Sequence, residues 1–140
     1  QMLCQMEKQG EGSILNVASS AGLFPAGPYM ATYYATKSYV TSLTRAVALE
    51  LKEKKSNVYV GALCPGPVDT EFNKVANVEF AIPSITPTYC ASYAIRKMEK
   101  RKIVIVPKNK MKVLAFISRV LPQSLVIRMT ARQQKKKRNW

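Results

Sequence analysis

The chain has 140 residues, 47% of them hydrophobic, enough for one domain with its own core. It contains no histidine, which excludes Ser-His-Asp and Cys-His nucleophilic machinery and a histidine-bearing zinc site within this chain. The net charge of +14 is unevenly placed: up to Glu99 nine basic residues meet all eight acids, while from Lys100 onward there are thirteen Lys or Arg and no acid.

The N-terminal stretch "QMLCQMEKQGEG" has neither a basic start nor an apolar signal core. It opens at Gln1 inside a helical pattern, so further sequence is expected upstream. No apolar run approaches the ~20 residues of a membrane-spanning helix. Cys4, Cys64 and Cys90 form no Cys-x-x-Cys pair. They are expected to be small buried apolar residues of a reducing, cytoplasmic compartment, with membrane association resting on the tail alone.

"GSILNVASSAG" (12–22) predicts a buried strand carrying Ile14, Leu15 and Val17 and ending in small residues. "LFPAGP" is loop. From Met30 to Lys54 no Gly or Pro occurs, and Tyr39, Leu43, Val47 and Leu51 recur at helical spacing, predicting a long helix with that stripe buried. "NVYVGALCPGP" (57–67) predicts a second strand stopped by Pro-Gly-Pro. Residues 68 to 85 have no period and suit a long loop or broken helix. Thr86 and Pro87 suit a helix start, with the helix running to about Lys100, and "KIVIVP" (102–107) predicts a third strand. The alternation of strand and helix predicts an α/β fold with a parallel sheet. Beyond it, Val113, Leu114, Ile117, Val120 and Leu121 form a helical stripe, broken by Pro122 and followed by a second basic helix.

In open parallel sheets, ligands sit outside the C-terminal ends of the strands. Two such ends carry unusual residues: Ser19-Ser20-Ala21-Gly22, and Pro65-Gly66-Pro67-Val68-Asp69-Thr70. Between them runs the helix with Tyr33 and Lys37, four residues apart and so on one face. Tyr93 and Lys97 repeat that spacing, but Phe80 stands where a serine would precede them and no Pro-Gly turn follows. Context therefore favours Tyr33. Phe24, Tyr29, Phe72 and Phe80 are candidates either for a substrate pocket or for plain core.

This combination of Ser20 thirteen residues before "YYATK", then "PGPVDT" at the next strand end, resembles the C-terminal half of the short-chain dehydrogenase/reductase family. The resemblance covers about residues 1–107, leaving 108–140 as a basic amphipathic extension. It implies a Rossmann-like, doubly wound parallel sheet whose N-terminal half is absent here. It also implies an oxidoreductase moving a hydride between NAD or NADP and a carbonyl or alcohol substrate. Ser20, Tyr33 and Lys37 would be catalytic, with Ser20 and Tyr33 on the substrate oxygen and Tyr33 and Lys37 beside the nicotinamide ribose. Pro65, Gly66, Val68 and Thr70 would hold the nicotinamide end of the cofactor, and no metal is involved. The chemistry fits those residue types. Reducing a carbonyl carbon leaves charge on oxygen, which a positioned acid must relieve. A phenol, with a reference pKa of about 10, releases its proton more readily beside an ammonium.

The family's glycine-rich pyrophosphate turn has no counterpart in the sequence. Nor has the asparagine of its proton relay, since Asn16 lies too close to Ser20 on the wrong strand. These 140 residues are thus expected to be inactive alone. The rival reading is a non-catalytic basic interaction module, a truncated dehydrogenase or a peripheral membrane-binding protein. For the tail itself three readings stand. It packs on the domain or on a second copy in a homo-oligomer, or it lies on an anionic membrane surface with Trp140 as anchor. The third, a nucleic-acid site, lacks aromatic interleaving and any known motif.

Overall fold

A computed structural model of the protein describes residues 1–71 and 83–137. Helix α1 (Met2–Gln9) leads into strand β1 (Ser13–Val17) and a 3-10 turn (Ser20–Leu23). Helix α2 (Ala31–Glu53), strand β2 (Tyr59–Leu63), helix α3 (Pro87–Glu99) and strand β3 (Val104–Ile105) follow, then helices α4 (Asn109–Val120) and α5 (Gln123–Lys137). Thr86 starts α3 as its residue type predicts, its hydroxyl accepting from the Tyr89 N–H at 3.2 Å.

The three strands form one parallel sheet in the order β1-β2-β3. Val17 lies opposite Leu63, and Leu63 opposite Ile105, so all three end together. Side chains alternate across the sheet. Ile14 and Val60 turn toward Met6 of α1 and Val47 and Leu51 of α2. Leu15, Leu63 and Ile105 turn to the other face, against Cys90 and Ala94 of α3. Helices on both faces explain why β2 is buried along its whole length. The fold is α/β, as the alternation of elements predicts.

Several sequence expectations fail in detail. Strand β1 is not fully buried: Val17 is 64% exposed, because among the described residues β1 pairs on one edge only. The stripe expected on α2 is wrong at its start, with Tyr39 67% and Leu43 46% exposed. The buried face runs instead through Tyr34, Thr41, Thr44, Ala48 and Leu51. Threonines serve here because their hydroxyls turn back on their own helix. Thr41 donates to the Lys37 carbonyl at 2.8 Å and Thr44 to the Val40 carbonyl at 2.7 Å, leaving the methyls to pack. Asn16 donates to the Thr44 hydroxyl at 2.9 Å, a strand-to-helix contact.

Cys64 and Cys90 are buried, but Cys4 is exposed. Burial pushes both buried thiols above the usual range, with the hydrogen bond between Cys64 and Thr41 offsetting part of the shift at Cys64. Thiolate is the reactive form. A thiol reagent at neutral pH should therefore label Cys4 rapidly in the folded chain, and Cys64 and Cys90 only after unfolding. Rapid labelling of Cys64 in the native protein would contradict this packing.

The tail stripe divides. Leu114, Ile117 and Leu121 face a large pocket, whereas Val113 and Val120, with Phe116, are 56%, 71% and 67% exposed. Helix α5 is pinned to the segment before and within α2. Thr130 donates to the Ala26 carbonyl at 3.0 Å, Gln134 to the Tyr34 hydroxyl at 2.8 Å, and the Lys135 ammonium stands 5.5 Å from the Tyr29 ring centre.

Candidate active site

The β1–β2 pairing continues past the strands. Ala18 N–H donates to the Leu63 carbonyl at 2.9 Å, and Ser20 N–H to the Pro65 carbonyl at 2.8 Å. The two unusual strand ends are thus held side by side. The adjacent serines take different tasks. Ser19 is buried, and its hydroxyl accepts from Ala21 N–H at 3.2 Å to cap the 3-10 turn. Ser20, half-buried, lines the pocket.

Gly22 lets this turn lie against α2. A Cβ at Gly22 would stand 2.4 Å from the Lys37 carbonyl oxygen and 2.6 Å from the Thr41 hydroxyl. The nearer atom is backbone and cannot step aside. Gly22→Ala should cost about 1–3 kcal/mol, the usual range for overpacking, and should move Ser20 away from the α2 face. A thermal melt reads the first effect; an unchanged melting temperature would contradict the close approach.

The neighbouring tyrosines are also distinguished. Both line the pocket, but Tyr33 is half-buried while Tyr34 is 9% exposed, its ring meeting that of Tyr33 edge-on at 6.4 Å. Gly27 makes room for Tyr34, since a Cβ there would lie 2.2 Å from the ring. Burial pushes the Tyr34 phenol up, and the hydrogen bond from Gln134 only partly offsets this. Tyr34 is therefore a neutral structural hydroxyl at physiological pH.

One helical turn from Tyr33, Lys37 is anchored from across the sheet: its ammonium donates to the Val17 carbonyl at 3.2 Å and stands 5.8 Å from the Tyr33 ring centre. Tyr93 has a different setting. Its ring is approached by Lys97 at 5.3 Å, its hydroxyl accepts from Lys112 at 3.0 Å, and it packs against the α3-side core away from the pocket.

Ser20, Tyr33, Lys37, Pro65, Gly66, Val68 and Thr70 all line one pocket of about 640 Å³ at the strand ends. Phe24 lines it too, while also packing on the core. Tyr29 does not; it lies in the loop beneath Lys135. Phe72 and Phe80, with much of the segment 68–85, fall outside the described residues, as does Trp140. Sequence reasoning missed the roof. This roof is Met111, Leu114, Ile117 and Leu121 from α4 and just beyond it, with Val126, Met129 and Gln134 of α5, which line the pocket together with the strand-end residues. Nothing in the basic, glutamine-rich run that holds Gln134 announces a buried position.

The pocket fits one end of a nicotinamide dinucleotide. Gly66 exposes backbone at the strand end, where a Cβ would already stand 3.0 Å from Met111, and Val68, Thr70 and Lys37 supply an apolar wall, a hydroxyl and a cation. The pyrophosphate end finds no glycine-rich turn anywhere in the sequence.

A parallel sheet with a pocket beyond its strand ends places the protein among the open α/β folds, whose ligands bind at that end. Comparison makes the assignment specific: the family model described as short chain dehydrogenase matches residues 1–79, and the chain belongs to that family. It is 46% identical over 65 residues to the D-beta-hydroxybutyrate dehydrogenase of Rhizobium meliloti (strain 1021), covering 46% of this chain and 24% of that protein. It is 35% identical over 96 residues to the Bos taurus dehydrogenase/reductase SDR family member 4, covering 69% of this chain and 32% of that one. Among solved structures, a short-chain dehydrogenase from Sphingobium yanoikuyae in complex with NADPH superimposes with a TM-score of 0.66 at 25% identity, over 84% of this chain and 47% of that one. The sheet is accordingly an incomplete Rossmann-like one, and the chain spans between a quarter and a third of the two curated relatives.

Proposed function

We propose that this chain is the chemical half of an NAD(P)-dependent oxidoreductase acting on an apolar carbonyl or alcohol. The observation that carries the reading is the gathering of Ser20, Tyr33 and Lys37 with the Pro65–Thr70 turn around one pocket. The cofactor, when bound, would exchange a hydride with the substrate carbon. Tyr33 gives its phenolic proton to the substrate oxygen in reduction and takes it back in oxidation. Ser20 holds that oxygen by a hydrogen bond. Lys37, steadied by the Val17 carbonyl, presents its ammonium to the phenol and to the ribose hydroxyls. The backbone of Pro65, Gly66 and Val68 and the Thr70 hydroxyl orient the nicotinamide end. A neighbouring structure holding NADPH supports the cofactor class. Residues outside this chain must cradle the pyrophosphate and choose between NAD and NADP.

The roof sets the substrate class. Leu114, Ile117, Leu121, Val126 and Met129 offer the substrate side no charge, so apolar bulk is favoured there. Each buried methylene contributes about 0.8 kcal/mol, so kcat/KM for a series of aliphatic ketones should rise about fourfold per added carbon until the pocket is full. Steady-state kinetics on the intact enzyme test this. A flat series, or a preference for charged short substrates, would remove the assignment of the roof to substrate.

A further inference from the structure

The outward face of the α4–α5 hairpin belongs to no part of the proposed chemistry. Val113, Phe116 and Val120 recur at helical spacing on α4 and are its most exposed apolar residues. They do not line the pocket, which takes the other side of the same helix. Lys110 and Arg119 flank this ridge, and both are exposed. On α5 the buried positions are Val126, Thr130 and Gln134, which leaves Arg128 and Arg132 facing solvent. No acid occurs anywhere from Lys100 to the end of the sequence. An apolar ridge inside an acid-free basic field is complementary to one surface chemistry in particular: hydrocarbon beneath a layer of negative charge. A polyanion without hydrocarbon, such as RNA, would leave the ridge unused.

We infer that the outer face of α4 and α5 docks the protein on an anionic lipid bilayer. Phe116, Val113 and Val120 enter the interfacial layer, and the arginines and lysines meet the headgroups. Each basic side chain close to such a surface contributes about 1 kcal/mol, or about fivefold in partition. The contribution must fall with salt, since the Debye length shrinks from about 10 Å at 0.1 M to about 3 Å at 1 M. Docking places the roof of the pocket at the membrane, where an apolar carbonyl substrate is concentrated. The docking itself does not depend on the catalytic reading, because binding is measured without turnover.

The test is sedimentation of the protein with phosphatidylcholine vesicles, with and without phosphatidylserine. The expected result is binding to the anionic vesicles alone, reduced about tenfold or more by high salt. Phe116→Ser with Val120→Ser should reduce partition about tenfold, since both lie in the apolar contact. Arg128→Gln with Arg132→Gln should do so by more than tenfold, from two lost charges. Circular dichroism checks that each variant is folded. Lack of binding to anionic vesicles at low salt would overturn the proposal. So would unchanged binding of either folded variant, or retention on single-stranded RNA without retention on vesicles.

Discussion

Tyr33→Phe should lower turnover in the intact enzyme by roughly 10² or more, the usual weight of a general acid, while leaving cofactor affinity nearly intact. The substitution keeps the ring and its edge contact with Tyr34 and deletes only the hydroxyl, the proton donor with it. Two other tyrosines make internal controls. Tyr93→Phe removes a hydroxyl that accepts from Lys112 outside the pocket and should leave turnover unchanged. Tyr34→Phe removes the acceptor of the buried Gln134 amide. Leaving such a donor unsatisfied costs about 1–3 kcal/mol, so this variant should lose stability rather than the proton-transfer step. Steady-state kinetics and melting curves on the three variants separate these effects. Equal turnover for wild type and Tyr33→Phe would refute the role of Tyr33.

A second large effect is expected in cofactor binding. The 140 residues alone should show no saturable binding to NAD(H) or NADP(H) at micromolar concentration by calorimetry. The pyrophosphate carries two negative charges in either cofactor, and helix N-terminal amides in a glycine-rich turn are the usual means of holding it. That turn is missing from the sequence. Strand β1 also has an unpaired edge among the described residues, a template for association between chains. A saturable micromolar isotherm from a monodisperse chain would show that the pocket binds cofactor by some other means.

The contrast between Tyr33 and Tyr93 explains what the sequence could reveal. Each has a lysine four residues on, so spacing alone could not separate them. Strand-end residues could, because Ser20 and Pro65–Thr70 read as punctuation after apolar runs, and a parallel sheet aligns such ends. The roof was not legible in this way. Gln134 lies within a basic, polar run, and its burial depends on Tyr34, one hundred residues away. The face of α2 was misread for a related reason: Thr41 and Thr44 look polar, yet satisfy their hydroxyls on their own helix and bury their methyls. On α4 apolar residues cover both sides, so periodicity gave one stripe where the fold uses two. Gly22 could have been noticed as the close end of Ser-Ser-Ala-Gly, but only the position of α2 gives the reason for it.

The proposed chemistry requires substrate carbon, Tyr33 and the nicotinamide to meet in the pocket beyond the strand ends. Its most direct test is label transfer in the intact enzyme, with reduced cofactor deuterated at the transferable position and an apolar ketone. Wild type should place deuterium on the carbinol carbon, and Tyr33→Phe should make the same labelled product about 10²-fold more slowly. An absence of label at that carbon in wild-type product, or its arrival at an undiminished rate in Tyr33→Phe, would contradict it.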